Sequence, residues 1–165
     1  MAFDAFLKID GIPGESADAK HKDWIDVLSY GFGIQQPTSA SAGRSGGTSA
    51  ARVDFEDFSI TKRLDKASPK LALACADGMH MRQVTLELCR AEGDKAKYME
   101  YKLSNCIVSS YHDGGAAHGP DSLPTETVSF NYGKIEWTYT QQKRADGSGG
   151  GQVVAGWDVE QNKKL

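Results

Sequence analysis

Two stretches decide the fold class of this chain: KYMEYKLSNCIVSSYHD, Lys97 to Asp113, and TETVSFNYGKIEWTYTQQ, Thr125 to Gln142. Both are rich in β-branched and aromatic residues and read as long strands. The polar, glycine-rich HDGGAAHGPDSLP lies between them, so the two are expected to form a long antiparallel pair. Upstream, QVTLELCRA alternates Val84, Leu86 and Leu88, and FDAFLKI places Phe3, Ala5, Leu7 and Ile9 on one face. In the second strand, Trp24, Asp26, Leu28 and Tyr30 alternate with Ile25 and Val27. Both of its faces carry apolar residues, which predicts contact with another protein surface on one side. In RVDFEDFSITKRLD, Val53 and Phe55 take one parity and Phe58, Ile60 and Leu64 the other, which places a bulge near Asp57. VVAGWDVEQN reads as a short closing strand. Period-two alternation with turns at short intervals makes the chain mainly β, a barrel or a sandwich.

One segment breaks the pattern. In SPKLALACADGMH, Ser68 suits an N-cap, Pro69 the first helical position and Gly78 a left-handed exit, which predicts a short helix over 68–78. Leu71, Ala74, Cys75 and Gly78 fall on one narrow apolar stripe able to dock on a sheet. A second exception is QQPTSASAGRSGGTSAA, residues 35–51, which has no large apolar side chain and reads as a long protruding loop.

With 165 residues, 39% of them hydrophobic, the chain is expected to form one domain able to bury a core without staples. A formal net charge of -3 with no basic run argues against a nucleic-acid partner. Three cysteines, Cys75, Cys89 and Cys106, lack C-x-x-C spacing and are expected to be reduced and buried. MAFDAFLKIDG has neither the basic nor the apolar region of a signal peptide, and no apolar run is long enough to span a bilayer. The expectation is a chain made in the cytosol, without membrane insertion.

Each constellation that could carry chemistry has a plainer reading. Cys75, Asp77 and His80 contain a thiol and a base, but Cys75 lies in the packing stripe while the other two stand at the helix exit. His80 there suits the helix C-terminus, where a cationic ring is favoured. His112, Asp113, His118 and Asp121 share one loop and include zinc-type ligands, yet Gly-Gly-Ala-Ala between the histidines makes a poor cage. GRSGGTS lacks the G-K-[ST] ending of a phosphate loop. Asp54, Glu56, Glu87 and Glu100 alternate on strands, and nothing in the sequence pairs any two for acid–base work. No cofactor, metal or catalytic group is therefore expected. Open sheet edges and outward apolar residues suit self-association instead, and a head-to-tail contact between copies closes into a ring when its rotation divides a full turn.

MAFDAFLKIDGIPGESAD with His21 and IDVLSYGFG after it, DFSITKRLDKASPKLALACADGMH in the middle, and GWDVEQN near the end together resemble the Hcp family, the haemolysin-coregulated tube proteins of the bacterial type VI secretion system. The resemblance implies a small β-barrel of two antiparallel sheets with one flanking helix, assembling into hexameric rings that stack into a hollow tube. It implies as partners further copies of the chain, a spike protein at the tip, a contractile sheath outside and small effectors in the lumen. It also implies a subunit that is not an enzyme, assembled in the bacterial cytoplasm and then secreted without a cleaved signal peptide. The resemblance implies fused toxin domains in longer relatives, and with few residues after GWDVEQN none is expected here. Gly43, Arg44, Ser45, Gly46, Gly47 and Thr48, in a loop with no core of its own, are expected to reach the next ring and gain order by docking. The mild negative charge favours a polar lumen.

Overall fold

A computed structural model describes residues 2–39, 49–50, 52–91, 93–119, 123–143 and 150–165. The N-terminal strands are β1 (Phe3–Ile9), β2 (Ile25–Val27) and β3 (Ser29–Gly31). An arm follows, with β4 (Ile34–Gln35) paired to β7 (Asp54–Phe55) and β5 (Thr38–Ser39) paired to β6 (Ser49–Ala50). Beyond it come β8 (Phe58–Arg63), α1 (Ser68–Asp77), β9 (Met81–Arg90), β10 (Lys97–Gly114), β11 (Thr125–Thr140), β12 (Gln152–Asp158) and β13 (Lys163–Lys164).

The expected long pair is the backbone of the fold. β10 and β11 run antiparallel from Met99 opposite Tyr139 to Gly114 opposite Thr125. β10 pairs with β9, β9 with β1, and β1 with β2. β11 pairs with β8, and β8 with β3. Only Leu28 separates β2 from β3, and its N–H donates to the Thr61 carbonyl at 2.8 Å, so the neighbours return to their start as a closed antiparallel circuit. The core inside it draws on every wall, with Leu7, Ile25, Phe58, Ile60, Val84, Leu103, Val128, Phe130 and Ile135 at 1% exposure or less.

The face-to-face alternation changes where the chain bends. At Leu28 the inward parity passes from Ile25 and Val27 to Tyr30, whose ring packs on Phe58 and Tyr101. Leu28 itself is left outside. The break near Asp57 stands where the sequence places it, between β7 and β8, and the Asp57 carboxylate accepts from Ser109 Oγ at 2.7 Å and Asn131 Nδ2 at 3.1 Å. The segment expected as one loop from residue 35 to residue 51 has paired flanks, because Gly33 lets Glu56 approach and continue the β3–β8 ladder outward. Gly43, Arg44, Ser45, Gly46, Gly47 and Thr48 lie outside the described residues.

The helix packs on β10 as expected, burying Leu71 and Ala74, with Cys75 half-buried beside them. Gly78 takes the left-handed exit at φ +67°, and its N–H reaches the Ala74 carbonyl. Two assignments are corrected. The N-cap is Ala67 with no side-chain cap, and Pro69 therefore stands second in the helix, not first. Ser68 is instead a buried residue of the first turn, whose hydroxyl is drawn to a carboxylate on β11 and so is not turned back on its own helix.

Candidate assembly surface and the polar clusters behind it

β11 divides its partners along its length. Thr125–Phe130 pair with β8, whereas Lys134–Thr140 pair with β12. β10 holds the other edge of β11 throughout, so β12 continues the edge that β8 leaves. At the changeover, Asn105 of β10 sits at φ +55° and Gly133 lies so close to Glu160 that a Cβ there would stand 2.7 Å from its Oε1. The Glu160 carboxylate accepts from Asn105 Nδ2 at 2.6 Å, and the Gly133 carbonyl accepts from Val159 N–H at 2.8 Å.

Beyond that knot the β12 strand is bare. Among the described residues, β13 covers Trp157 and Asp158 and Leu165 N–H reaches the Gly156 carbonyl at 3.2 Å, while Gln152–Ala155 are exposed on both faces. Val153 and Val154 remain 69% and 62% exposed, and Tyr139, opposite Val153 in register, 47%. An apolar strand open on two faces and one edge is a template for pairing with another chain. Next to it, Ala2, Arg90, Ala91, Tyr98, Tyr139 and Gln142 line a shallow depression of about 730 Å³. Nearer the arm, Ile34, Val53, Phe55, Trp137 and Trp157 line a smaller groove of about 310 Å³. The indole N–H groups of Trp137 and Trp157 are shielded there without an acceptor among the described residues.

Two buried polar clusters hold this framework in shape. In the first, Lys62 and Glu126 face each other on β8 and β11, both inside the barrel wall. The Lys62 ammonium pairs with the Glu126 carboxylate and with Asp65 Oδ1 at 2.8 Å, and donates to Ser68 Oγ at 3.2 Å and the Arg63 carbonyl at 3.0 Å. Glu126 also accepts from Ser68 Oγ at 2.6 Å and from the Tyr111 hydroxyl. Burial alone pushes the Glu126 carboxyl up, but hydrogen bonds from Lys62, Ser68 and Tyr111 together hold it below the ordinary carboxylate range. Burial and the same carboxylate push the Tyr111 phenol up.

The second cluster lies on the outer face of the sheet. The segment between β1 and β2 folds back over β1, held by Gly14 N–H to the Asp23 carbonyl at 2.8 Å. Gly14 is required there, since a Cβ would stand 2.4 Å from the Trp24 carbonyl oxygen. This seats His21 flat on Phe6, with ring centroids 4.2 Å apart and planes 7° apart, and against the edge of Trp24. His21 Nδ1 lies 2.7 Å from Asp18 Oδ2 and Nε2 lies 2.6 Å from Glu87 Oε2. Glu87 stands directly opposite Glu100 in register, with Lys97 Nζ between them, 3.4 Å and 2.8 Å away. Glu87 and Glu100, which nothing in the sequence pairs, are thus joined by cross-strand register through Lys97.

The residues considered from sequence are placed as follows. Cys75 is half-buried in the helix, Asp77 accepts the Met79 N–H at 2.9 Å, and His80 is exposed. His112 and His118 are exposed, and Asp121 lies outside the described residues. Burial pushes the Cys106 thiol up to about 12, and burial with the neighbouring Glu87, Asp18 and Asp4 carboxylates pushes Cys89 up to about 11.

These observations define an antiparallel β domain closed on itself, with one packing helix and an apolar strand left open beside the closure. Residues 6–139 match the family described as Type VI secretion system effector, Hcp. The chain is 39% identical over 163 residues to Protein hcp1 of Pseudomonas aeruginosa, covering 98% of each. A solved structure described as a type six secretion system protein superposes with a TM-score of 0.91 at 36% identity, covering 99% of this chain and 100% of that one. Hcp1 from Salmonella typhimurium superposes at 0.81 with 33% identity over the whole of both chains. The chain belongs to the Hcp family of secreted type VI secretion proteins.

Proposed function

We propose that the chain is a structural subunit of the type VI secretion tube, without catalytic activity. Copies close into a hexameric ring, rings stack into a hollow tube, and the tube carries small effectors and is itself delivered outside the cell. In this reading the chain assembles in the bacterial cytoplasm, a contractile sheath surrounds the tube and a spike protein sits at its tip. The observation that carries the reading is the β12 strand, where Val153, Val154 and Tyr139 expose apolar surface around an open edge. A neighbouring copy would cover this strand, because exposed apolar edges are costly to leave in water and are templates for association. The loop containing Gly43, Arg44, Ser45, Gly46, Gly47 and Thr48 is assigned to contact between rings.

The test is the solution mass of the purified chain and of Val154→Glu, with electron microscopy of the same fractions. Six-membered rings in the parent chain, and monomers with an unchanged far-ultraviolet spectrum in Val154→Glu, are expected. A parent chain that stays monomeric at high concentration would overturn the ring. Rings that survive Val154→Glu would remove β12 from the interface.

A further inference from the structure

We propose that His21, Glu87 and Cys89 form a binding site for one zinc-class divalent metal ion on the outer face of the sheet, with Asp18 as the residue that orients the histidine. Glu87 and Cys89 are two apart on β9, so both point to the face opposite Leu86 and Leu88. The folded-back segment lowers His21 onto that face from above. His21 Nε2, the Cys89 Sγ and a Glu87 oxygen all lie within 4.8 Å of one another, and they form the only such ligand group among the described residues. His21 and Cys89 are buried, at 4% and 1% exposure, and the Glu87 side chain is 15% exposed, which leaves one side for a fourth ligand from solvent.

The geometry is close to what such an ion demands. Bonds of about 2.0 Å to nitrogen and oxygen and about 2.3 Å to sulfur, arranged tetrahedrally, need ligand atoms roughly 3.3 to 3.6 Å apart. Nε2 and Sγ stand 3.9 Å apart. Nε2 and Glu87 Oε2 stand 2.6 Å apart, so this pair has to open by about 0.7 Å, which a side-chain rotation of Glu87 supplies. Imidazole, thiolate and carboxylate together select a borderline-soft ion over calcium or magnesium. The Asp18 carboxylate at Nδ1 fixes the tautomer that leaves Nε2 free to ligate, the arrangement that outer-shell carboxylates give metal-bound histidines.

The Cys89 Sγ–H bond breaks as the Sγ–metal bond forms, the thiol proton passes to solvent, and any proton on His21 Nε2 leaves with it so that the nitrogen lone pair can ligate. The bound ion would clasp the segment carrying His21 to β9.

The test is a cobalt(II) titration of the metal-stripped full chain, followed by competition with zinc. One equivalent of cobalt is expected to produce a thiolate-to-cobalt charge-transfer band. Cys89→Ser should abolish the band, whereas Cys75→Ser and the double variant His112→Ala/His118→Ala should retain it. Asp18→Asn should keep the band but weaken affinity by about 10- to 100-fold, as loss of an outer-shell partner does. The absence of a band in the parent chain, its survival in Cys89→Ser, or its loss on removing His112 and His118 would each overturn the site. Circular dichroism of each variant checks that the fold persists, and Glu87→Gln, which retains Cys89, should weaken binding without removing the thiol.

Discussion

Replacing Lys62 with methionine removes the cation from the most deeply buried ion pair and leaves its volume nearly filled. In the parent chain the Lys62 ammonium is fully buried and touches two carboxylates, a hydroxyl and a carbonyl. Breaking such a pair from one side costs about 3 to 5 kcal/mol, because the remaining charge stays buried without its partner. Glu126 keeps the Ser68 and Tyr111 hydroxyls as donors, which places Lys62→Met near the lower end, about 3 kcal/mol. For a chain of this length that is a fall in melting temperature of roughly 6 to 12 °C. The double variant Lys62→Met/Glu126→Leu should recover most of the loss, since an apolar pair of similar volume replaces the ionic one. Acid supplies a second reading. The folded-state pKa of Glu126 is depressed, so its contribution is present above the unfolded carboxylate value of about 4.3 and is lost as pH falls through the folded value. Without Lys62, burial dominates and raises that pKa, so the variant's penalty is largest at neutral pH and shrinks as Glu126 protonates. Guanidinium unfolding of parent and variants at pH 7 and pH 4, at one protein concentration because assembly adds to apparent stability, measures both effects. A Lys62→Met chain within about 1 kcal/mol of the parent, or a penalty equal at the two pH values, would refute the reasoning.

Phe130, fully buried at the centre of β11, should cost about 3 to 5 kcal/mol when cut to alanine, read as a lower denaturation midpoint at unchanged slope. Gly14→Ala forces the folded-back segment off Trp24, so hydrogen exchange should accelerate across residues 14–24 while the β10–β11 ladder stays protected; uniform protection throughout would contradict the clash. Deleting Gly43 to Thr48 should leave rings intact and reduce the population of stacked rings in electron micrographs, and equal stacking without the loop would remove its assigned role.

What the sequence made legible was local. The period-two runs of β10 and β11, the turn-bounded strands and the exit of α1 at Gly78 each follow from a few neighbouring residues, and all stand in the structure. Lys62 shows where that reading stops. It shares parity with Phe58, Ile60 and Leu64, yet Leu64 is exposed and Lys62 is buried. A lysine is buried only with a partner, and that partner, Glu126, is 64 positions away. A signal was present, because Glu126 shares the inward parity of Val128 and Phe130, so opposite charges stood on the inward faces of two strands that had to be neighbours. His21 offered less. It lies in SADAKHKD, which reads as a polar link, and only β1–β9 register brings Phe6 beside Glu87 and gives the ring a floor and a far wall. Ser68 misled in the opposite sense, since cap chemistry suits it well and a nearby buried carboxylate suits it better.

The division of β11 gives the molecule its economy. Its first half closes the circuit through β8 and is anchored by Glu126, while its second half lends the same edge to β12. Between them, the inward parity of both long strands shifts at one level. It passes from Tyr132 to Ile135 on β11 and from Leu103 to Cys106 on β10, so the two faces stay in step across the change. Asn105 and Gly133, tied to Glu160, take up the irregularity. Because the change falls on both strands where Asn105 faces Gly133, it needs no register shift, unlike the bulge of β10 alone between Val108 and Ser110. Made on both at once, it lets the two strands continue past the closed core and carry β12 outside it. The open strand is therefore an extension of the closed circuit of paired strands. For that reason a charge at Val154 is expected to dissolve contacts between copies while the core around Phe58, Val128 and Phe130 stays folded.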